Sequence, residues 1–418
     1  MVVKLFVFYF KGAIRQRGFN KVLVLGAFAA ILYLLYSFFY LLFHDYLRDP
    51  GYLERDKCPA CYGESLCDEL TSGKITFESI SKYRFTDYIN TKNVYFAKRI
   101  DGTPMVLKKL AFNSEFVDLD AKICMSTSRS KDCDVSKLFY IHKFTKREIE
   151  SKTFANLSDM VRCPSLRMLN RVLDNYKERK SRRYIHVEDK LFLGYTLSVN
   201  PEPILMQLFP REEGWPFPKY YGACGRFVAV EYVGQTLNNY FDAPWEERVD
   251  FAYQILNIAK MFTNNRQGYN LYLADVTYDN LAVDKDGKII IIDLENIIVV
   301  DQAIIKREKR PHWRWPFYSP FDVCSPSTSC LSFSYEDMCS RLTLDHNYYA
   351  VCRNLLSHYA SDVLMSDGFL HSLPKHLESK YNISAMLEEC AKPTTHGGRL
   401  IIVPKLIAAL EDIRRDYF

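Results

Sequence analysis

The hydrophobic pattern opens with an unbroken apolar run. From Val22 to Phe43 no residue carries a charge: VLVLGAFAAILYLLYSFFYLLF. That is long enough to cross a hydrocarbon core of about 30 Å. A cleaved secretory signal would have a shorter apolar stretch, about 7–15 residues, and a small-residue cleavage site. Here the run is longer and continues LLFHDYLRD. The pattern predicts one N-terminal transmembrane helix acting as a signal anchor.

Beyond it the periodicities change. Asn93–Ala97 and Pro104–Leu107 are strand-like and flank Asp101-Gly102, a hairpin signal. Residues 111–160 read as irregular and polar. Leu166, Leu169, Val172, Leu173 and Tyr176 have helical spacing and run into the basic stretch KERKSRR at 177–183. PEPILMQLFP at 201–210 predicts a short helix, with prolines confined to its first turn. Arg226–Val233 predicts a buried strand. Asp242-Ala-Pro-Trp-Glu-Glu predicts a helix start with Asp242 as cap. Val249, Ala252, Ile255, Leu256, Ala259 and Phe262 supply that helix's apolar face. Residues 281–283 and 288–293 predict two strands around Asp284-Lys-Asp-Gly287, and the last hundred residues read as mainly helical. Strands, helices, one hairpin and helices again suit a two-lobed α+β domain.

Composition adds three constraints. At 418 residues, 48% hydrophobic and 25% charged, the chain has globular proportions. Its net charge of +5 resides in the N-terminal tail, where Lys4, Lys11, Arg15, Arg17 and Lys21 meet no acid. The rest is neutral, which removes any global argument for nucleic-acid binding. The basic tail should stay cytosolic and direct residues 44–418 to the lumen or exterior. Arg15-Gln-Arg17 reads either as that positive-inside charge or as a retrieval signal for the endoplasmic reticulum. All 12 cysteines follow the apolar run: Cys58, Cys61, Cys67, Cys124, Cys133, Cys163, Cys224, Cys324, Cys330, Cys339, Cys352 and Cys390. An even number in that compartment predicts disulfides of open connectivity. A zinc reading of Cys58-Pro-Ala-Cys61 lacks a second ligand pair downstream. Asn156-Leu-Ser158 and Asn382-Ile-Ser384 are glycosylation acceptors.

The chemistry concentrates in Asp275-Val-Thr-Tyr-Asp-Asn280, the hairpin, and Asp293-Leu-Glu295. An Asp, an Asn five residues on, a hairpin and a second Asp can place a base and two oxygen ligands around phosphates. This order resembles the protein-kinase catalytic segment. The resemblance makes Asp275 the base and Asn280 and Asp293 the metal ligands. It makes Met105-Val-Leu-Lys108 the phosphate-holding lysine strand. Glu202 becomes the acid pairing with Lys108, with Glu150 in reserve, and Val230–Val233 the hinge, where Glu231 and Val233 meet adenine. The motif departs in known places. Leu273-Ala274 stand where kinases have His-Arg, and Glu295 stands where the metal aspartate's glycine would be. No glycine-rich loop precedes Lys108; Ile89-Asn-Thr-Lys-Asn-Val-Tyr95 occupies its position. The run Lys306–Trp315 falls in the activation-segment position and reads either as a surface recognising an acidic or sugar substrate through Arg and Trp or, the favoured reading, as a solvated loop with buried tryptophans. His346 reads as a structural, hydrogen-bonded histidine.

Further blocks narrow the resemblance: Lys57-Cys-Pro-Ala-Cys61, Asn93-Val-Tyr-Phe96, Cys163-Pro-Ser165, Glu213-Gly-Trp-Pro216, Lys219-Tyr-Tyr-Gly-Ala-Cys-Gly-Arg226 and Asp345-His-Asn-Tyr-Tyr-Ala-Val-Cys352. From about residue 48 onward the chain resembles the divergent protein kinase domain family of the secretory pathway, deleted-in-autism type. The expected layout is a basic tail (1–21), an anchor (22–43), a Cys-rich lead-in (44–80), an N-lobe with an insertion (81–233) and a C-lobe (234–418). The resemblance implies residence in the endoplasmic reticulum or Golgi membrane, with secretion after cleavage in view. It also implies a partner among secretory-pathway proteins or receptors. Two functions follow. One is an ATP-dependent kinase using Mg or Mn on a lumenal protein or glycan hydroxyl. The other is a pseudokinase serving as scaffold, trafficking factor or secreted signal.

Overall fold

A computed structural model describes residues 19–58, 61–78, 81, 93–111, 113–128, 130, 133, 158–163, 165–179, 184, 186–321, 331–360 and 367–417. Cys324, Cys330, Asn156, Glu150 and most of the glycine-loop counterpart lie outside the described residues.

The N-lobe is built on a five-stranded antiparallel sheet in the order β1-β2-β3-β5-β4. Its strands are β1 (Ile75–Phe77), β2 (Val94–Arg99), β3 (Pro104–Lys109), β4 (Tyr220–Cys224) and β5 (Phe227–Glu231). The Asp101-Gly102 turn closes β2 onto β3, with Gly102 at φ 91°. Period-2 alternation along β5 sends its side chains to opposite faces. Phe227 and Ala229 join Leu107, Met105 and Tyr95 in the outer cluster. Val228 and Val230 join the main core.

The Cys-rich lead-in is stitched onto this sheet. It supplies β1, which pairs with β2 from Ile75↔Arg99 to Phe77↔Ala97. Leu47, Leu53, Leu66 and Leu70 fill the outer cluster. Gly225, at φ 58°, turns β4 into β5, and a Cβ there would lie 1.8 Å from the Leu53 carbonyl oxygen. Only glycine permits that approach. Cys58–Cys61, Cys67–Cys224, Cys124–Cys133, Cys163–Cys339 and Cys352–Cys390 are disulfides. The first pair removes the zinc alternative.

The C-lobe centres on the helix Trp245–Thr263, whose predicted apolar face is fully buried. The start differs from expectation: Pro244 occupies the cap, and Glu246 and Glu247 fill the first turn. Proline's fixed φ puts the helix start after Asp242. Two small sheets face this helix. One pairs β6 (Tyr269–Leu273) with β9 (Ile297–Asp301); the other pairs β7 (Leu281–Val283) with β8 (Ile289–Ile291). The 111–160 stretch, expected to be irregular, contains the helix Asn113–Ser128, which buries Phe116, Leu119 and Cys124 against the main core. Tertiary packing overrides its polar composition.

Phe19–Phe43 is one apolar helix, and Leu25, Phe28, Tyr33 and Leu34 are exposed. Among the described residues no helix is long and apolar enough to cross a membrane. The expected anchor segment is thus found as an apolar helix, Phe19–Phe43.

Candidate functional site

Lys108 stands on β3 between Val94 of β2 and Val228 of β5. That register fixes its backbone in the middle of the sheet. Its Nζ donates to Glu202 Oε1 at 2.5 Å and to the Ile292 carbonyl oxygen at 2.6 Å. Glu202 opens the helix Glu202–Leu208 and is 2% exposed. Burial works against charge on Lys108, and the carboxylates of Glu202 and Asp293 outweigh it, leaving the ammonium above its ordinary value. Burial pushes the Glu202 carboxyl up to about 6, with Lys108 opposing. Asp293 thus lies close enough to act on both members of the pair.

Asn200 ties this pair to the next motif. Its Oδ1 accepts from Glu202 N at 3.0 Å, and its Nδ2 donates to Glu295 Oε2 at 2.9 Å. Glu295 is pushed up to about 7, first by loss of solvent around the carboxyl, then by Asp293 and Glu202. The glycine position of the kinase motif therefore holds a side chain that reaches across to the Glu202 helix. Asn200 belongs to no motif, and nothing local to the sequence marks it.

The Asp275 loop is held from the C-lobe. The Leu273 carbonyl faces His346 Nε2 at 2.8 Å, and Leu273 N donates to Asn347 Oδ1 at 3.0 Å. Asn354 Nδ2 donates to the Val276 carbonyl at 3.2 Å, and the Tyr278 hydroxyl donates to the Leu355 carbonyl at 2.7 Å. Where kinases carry His-Arg before the aspartate, this chain has Leu273-Ala274 and fixes the loop backbone from outside. Asn280 ends the turn Tyr278–Asn280, and its carbonyl accepts from Ile292 N at 2.9 Å. That bond sets Asn280 beside the residue preceding Asp293. His346 is fully buried, as the structural reading expects, and burial holds its ring down at about 4.

The segment expected to form the hinge leaves β5 at Glu231. The Glu231 carboxylate meets Arg211 Nη1 at 3.3 Å, and Arg211 Nη2 also pairs with Asp284 of the β7–β8 turn. Gly234, at φ 153°, brings the strap against β7; a Cβ there would lie 2.1 Å from the Val283 carbonyl oxygen. Val233 lies on this strap, half-buried.

An oxygen-donor set of Asp293 and Asn280 suits a hard divalent cation that keeps waters and phosphates as its other ligands. Among the described residues no cluster of three His, Cys, Asp or Glu side chains forms a self-sufficient metal site. Such a cation would need the substrate's phosphates to complete its shell.

The β-sheet with its lysine–glutamate pair, the hinge and the Asp-Asn-hairpin-Asp segment define a protein-kinase-like domain. The family model described as the protein-kinase domain of FAM69 matches residues 194–393. Divergent protein kinase domain 2A of Xenopus tropicalis is 43% identical over 368 residues, covering 84% of this chain and 86% of that protein. The Homo sapiens protein of the same name is 42% identical over 371 residues, with 84% and 86% covered. Divergent protein kinase domain 2B of Bos taurus is 30% identical over 266 residues, 60% of this chain and 61% of that one. The chain belongs to the divergent protein kinase domain family.

Proposed function

We propose that this protein binds ATP with Mg²⁺ or Mn²⁺ and transfers the γ-phosphoryl group to a hydroxyl of a lumenal protein or glycan. The observation that carries the reading is the buried Lys108–Glu202 pair with Asp293 acting on both. Lys108 holds phosphate oxygens, and Glu202 positions Lys108. Glu231 and Val233 line the adenine edge. Asn280 and Asp293 hold the cation, which supplies charge neutralisation along the phosphates. Asp275 accepts the proton as the acceptor oxygen bonds to the γ-phosphorus and the bond to the β–γ bridging oxygen breaks.

The location belongs to the same proposal. The exposed apolar helix Phe19–Phe43 anchors the chain in the endoplasmic reticulum or Golgi membrane, and the disulfide-bonded domain faces the lumen. Asn382, exposed between two helices, is a glycan acceptor there. A second reading is a pseudokinase scaffold, trafficking factor or secreted signal. Glu295 in the glycine position and Ala274 in place of arginine favour it.

The test is thermal unfolding of the full chain in detergent, with and without ATP and Mg²⁺ or Mn²⁺. Ligand at a hundredfold excess over its Kd adds about 2.7 kcal/mol to the folded state. The expected result is a cation-dependent rise in Tm that Asp293→Ala abolishes. A folded protein with no shift would favour the pseudokinase.

A further inference from the structure

The segment after β9 breaks the neutrality of the domain. Between 306 and 315 it carries Lys306, Arg307, Lys309, Arg310 and Arg314 against a single acid, Glu308. Glu308 is shared by Arg307 at 3.9 Å and Arg310 at 2.9 Å. Both arginines are more than half exposed, at 69% and 57%. The expectation of buried tryptophans holds for neither ring in full. Trp313 packs at the margin of a small cluster with Tyr272, Ile298 and Leu344. Trp315 is 64% exposed, with the His312 ring 4.1 Å away.

The backbone here is pinned. Arg341 Nη1 donates to the His312 carbonyl at 2.7 Å, Leu342 N to the Trp313 carbonyl at 3.0 Å, and Phe317 N to the Thr343 carbonyl at 3.0 Å. An indole held in water by a fixed backbone among arginines is costly surface for a solvated loop. Arginine forks and an exposed tryptophan are the anchors protein interfaces use.

We propose that residues 306–315 form a docking strip for an acidic polypeptide segment. Its carboxylates pair with Arg307, Arg310 and Arg314, and one apolar side chain covers Trp315. The strip follows β9 through the short helix Gln302–Glu308, from the end of β9 that pairs with Tyr269, and its Trp313 returns toward the other end of β6, packing on the small cluster that also takes Tyr272 and Ala274, the residue before Asp275. A segment docked there is held to the element that carries the proposed base. The strip thus deepens the phosphotransfer reading by naming its substrate class, while the docking itself requires no nucleotide.

The experiment is fluorescence anisotropy of a short fluorescein-labelled, glutamate-rich peptide carrying one leucine, titrated with the full chain in detergent without ATP. Saturable binding that weakens with salt is expected. The variant Arg307→Glu/Arg310→Glu/Arg314→Glu should weaken it about tenfold or more, and Trp315→Ala should weaken it at unchanged salt dependence. A thermal melt confirms that each variant folds, and the milder Arg314→Ala serves should the triple variant fail. No binding by the wild-type chain, or equal binding by the triple variant, overturns the proposal. So does tighter, strip-dependent binding of heparin or of phosphatidylserine–phosphatidylcholine vesicles. Peptide binding without any ATP-dependent Tm shift would uphold the strip and count against phosphotransfer.

Discussion

His346 has no exposed surface and lies between the Leu273 carbonyl and the Ser319 hydroxyl, 3.4 Å from its Nδ1. Burial dominates its titration, so the folded ring takes a proton only near pH 4, against an ordinary 6.5. Between those values the unfolded chain binds the extra proton. This residue's contribution to stability is therefore intact above about pH 6.5 and is lost as pH falls toward 4, by about 3 kcal/mol in all. Glu202 and Glu295 act in the opposite sense, because the folded state holds their protons more tightly, up to about 6 and about 7. The informative measurement is thus a difference. His346→Gln keeps an N–H for Leu273 and cannot ionise. Urea unfolding of both proteins at about pH 7.5 and about pH 5 should show the variant gaining roughly 2 kcal/mol on the wild type at the lower pH. A pH-independent difference would mean that the folded ring titrates as it does in water. The histidine's structural character is legible in the sequence, because no nucleophile stands near it. Its partner is not, since Leu273 is reached only through the fold.

The helix Glu202–Leu208 shows the same division between what local pattern reveals and what packing decides. Its existence follows from prolines confined to the first turn, and the strands around Lys108 follow from alternation about Asp101-Gly102. The helices Asn113–Ser128 and Val187–Val199 lack such marks and form because the core accepts them. Lys108 and Glu202 can be paired by chain order alone, but Asn200 is silent because its target Glu295 is 95 residues away. Asn200 nonetheless caps Glu202 N and reaches the Asp293-Leu-Glu295 turn at once, so the two elements should move together. Asn200→Ala leaves a buried N–H without its acceptor, which costs about 1–3 kcal/mol locally. Amide hydrogen exchange should speed up in 202–208 and also in 293–296, with the core helix Trp245–Thr263 unchanged. Faster exchange confined to 202–208 would show that the bridge to Glu295 carries no coupling.

At the scale of the whole molecule, the lead-in and the N-lobe sheet form one packed body. Leu47, Leu53, Leu66 and Leu70 share a cluster with Tyr95, Leu107 and Phe227. The disulfide between Cys67 and Cys224 closes a loop of sequence separation 157, whereas Cys58–Cys61 closes one of 3. A cross-link acts mainly by restricting the unfolded chain, and the restriction grows with the loop it closes. The long link should therefore contribute about 2–5 kcal/mol and the short one far less. Denaturant unfolding of Cys67→Ala/Cys224→Ala should show that loss, and Cys58→Ser/Cys61→Ser should stay near wild type. Equal losses would mean that chain entropy is not the controlling term, and that the 58–61 turn itself organises the lead-in. A large loss from the long link alone would make the lead-in a structural part of the lobe. The position of Lys108, on the strand next but one to β1, would then depend on residues that lie well outside the matched kinase segment.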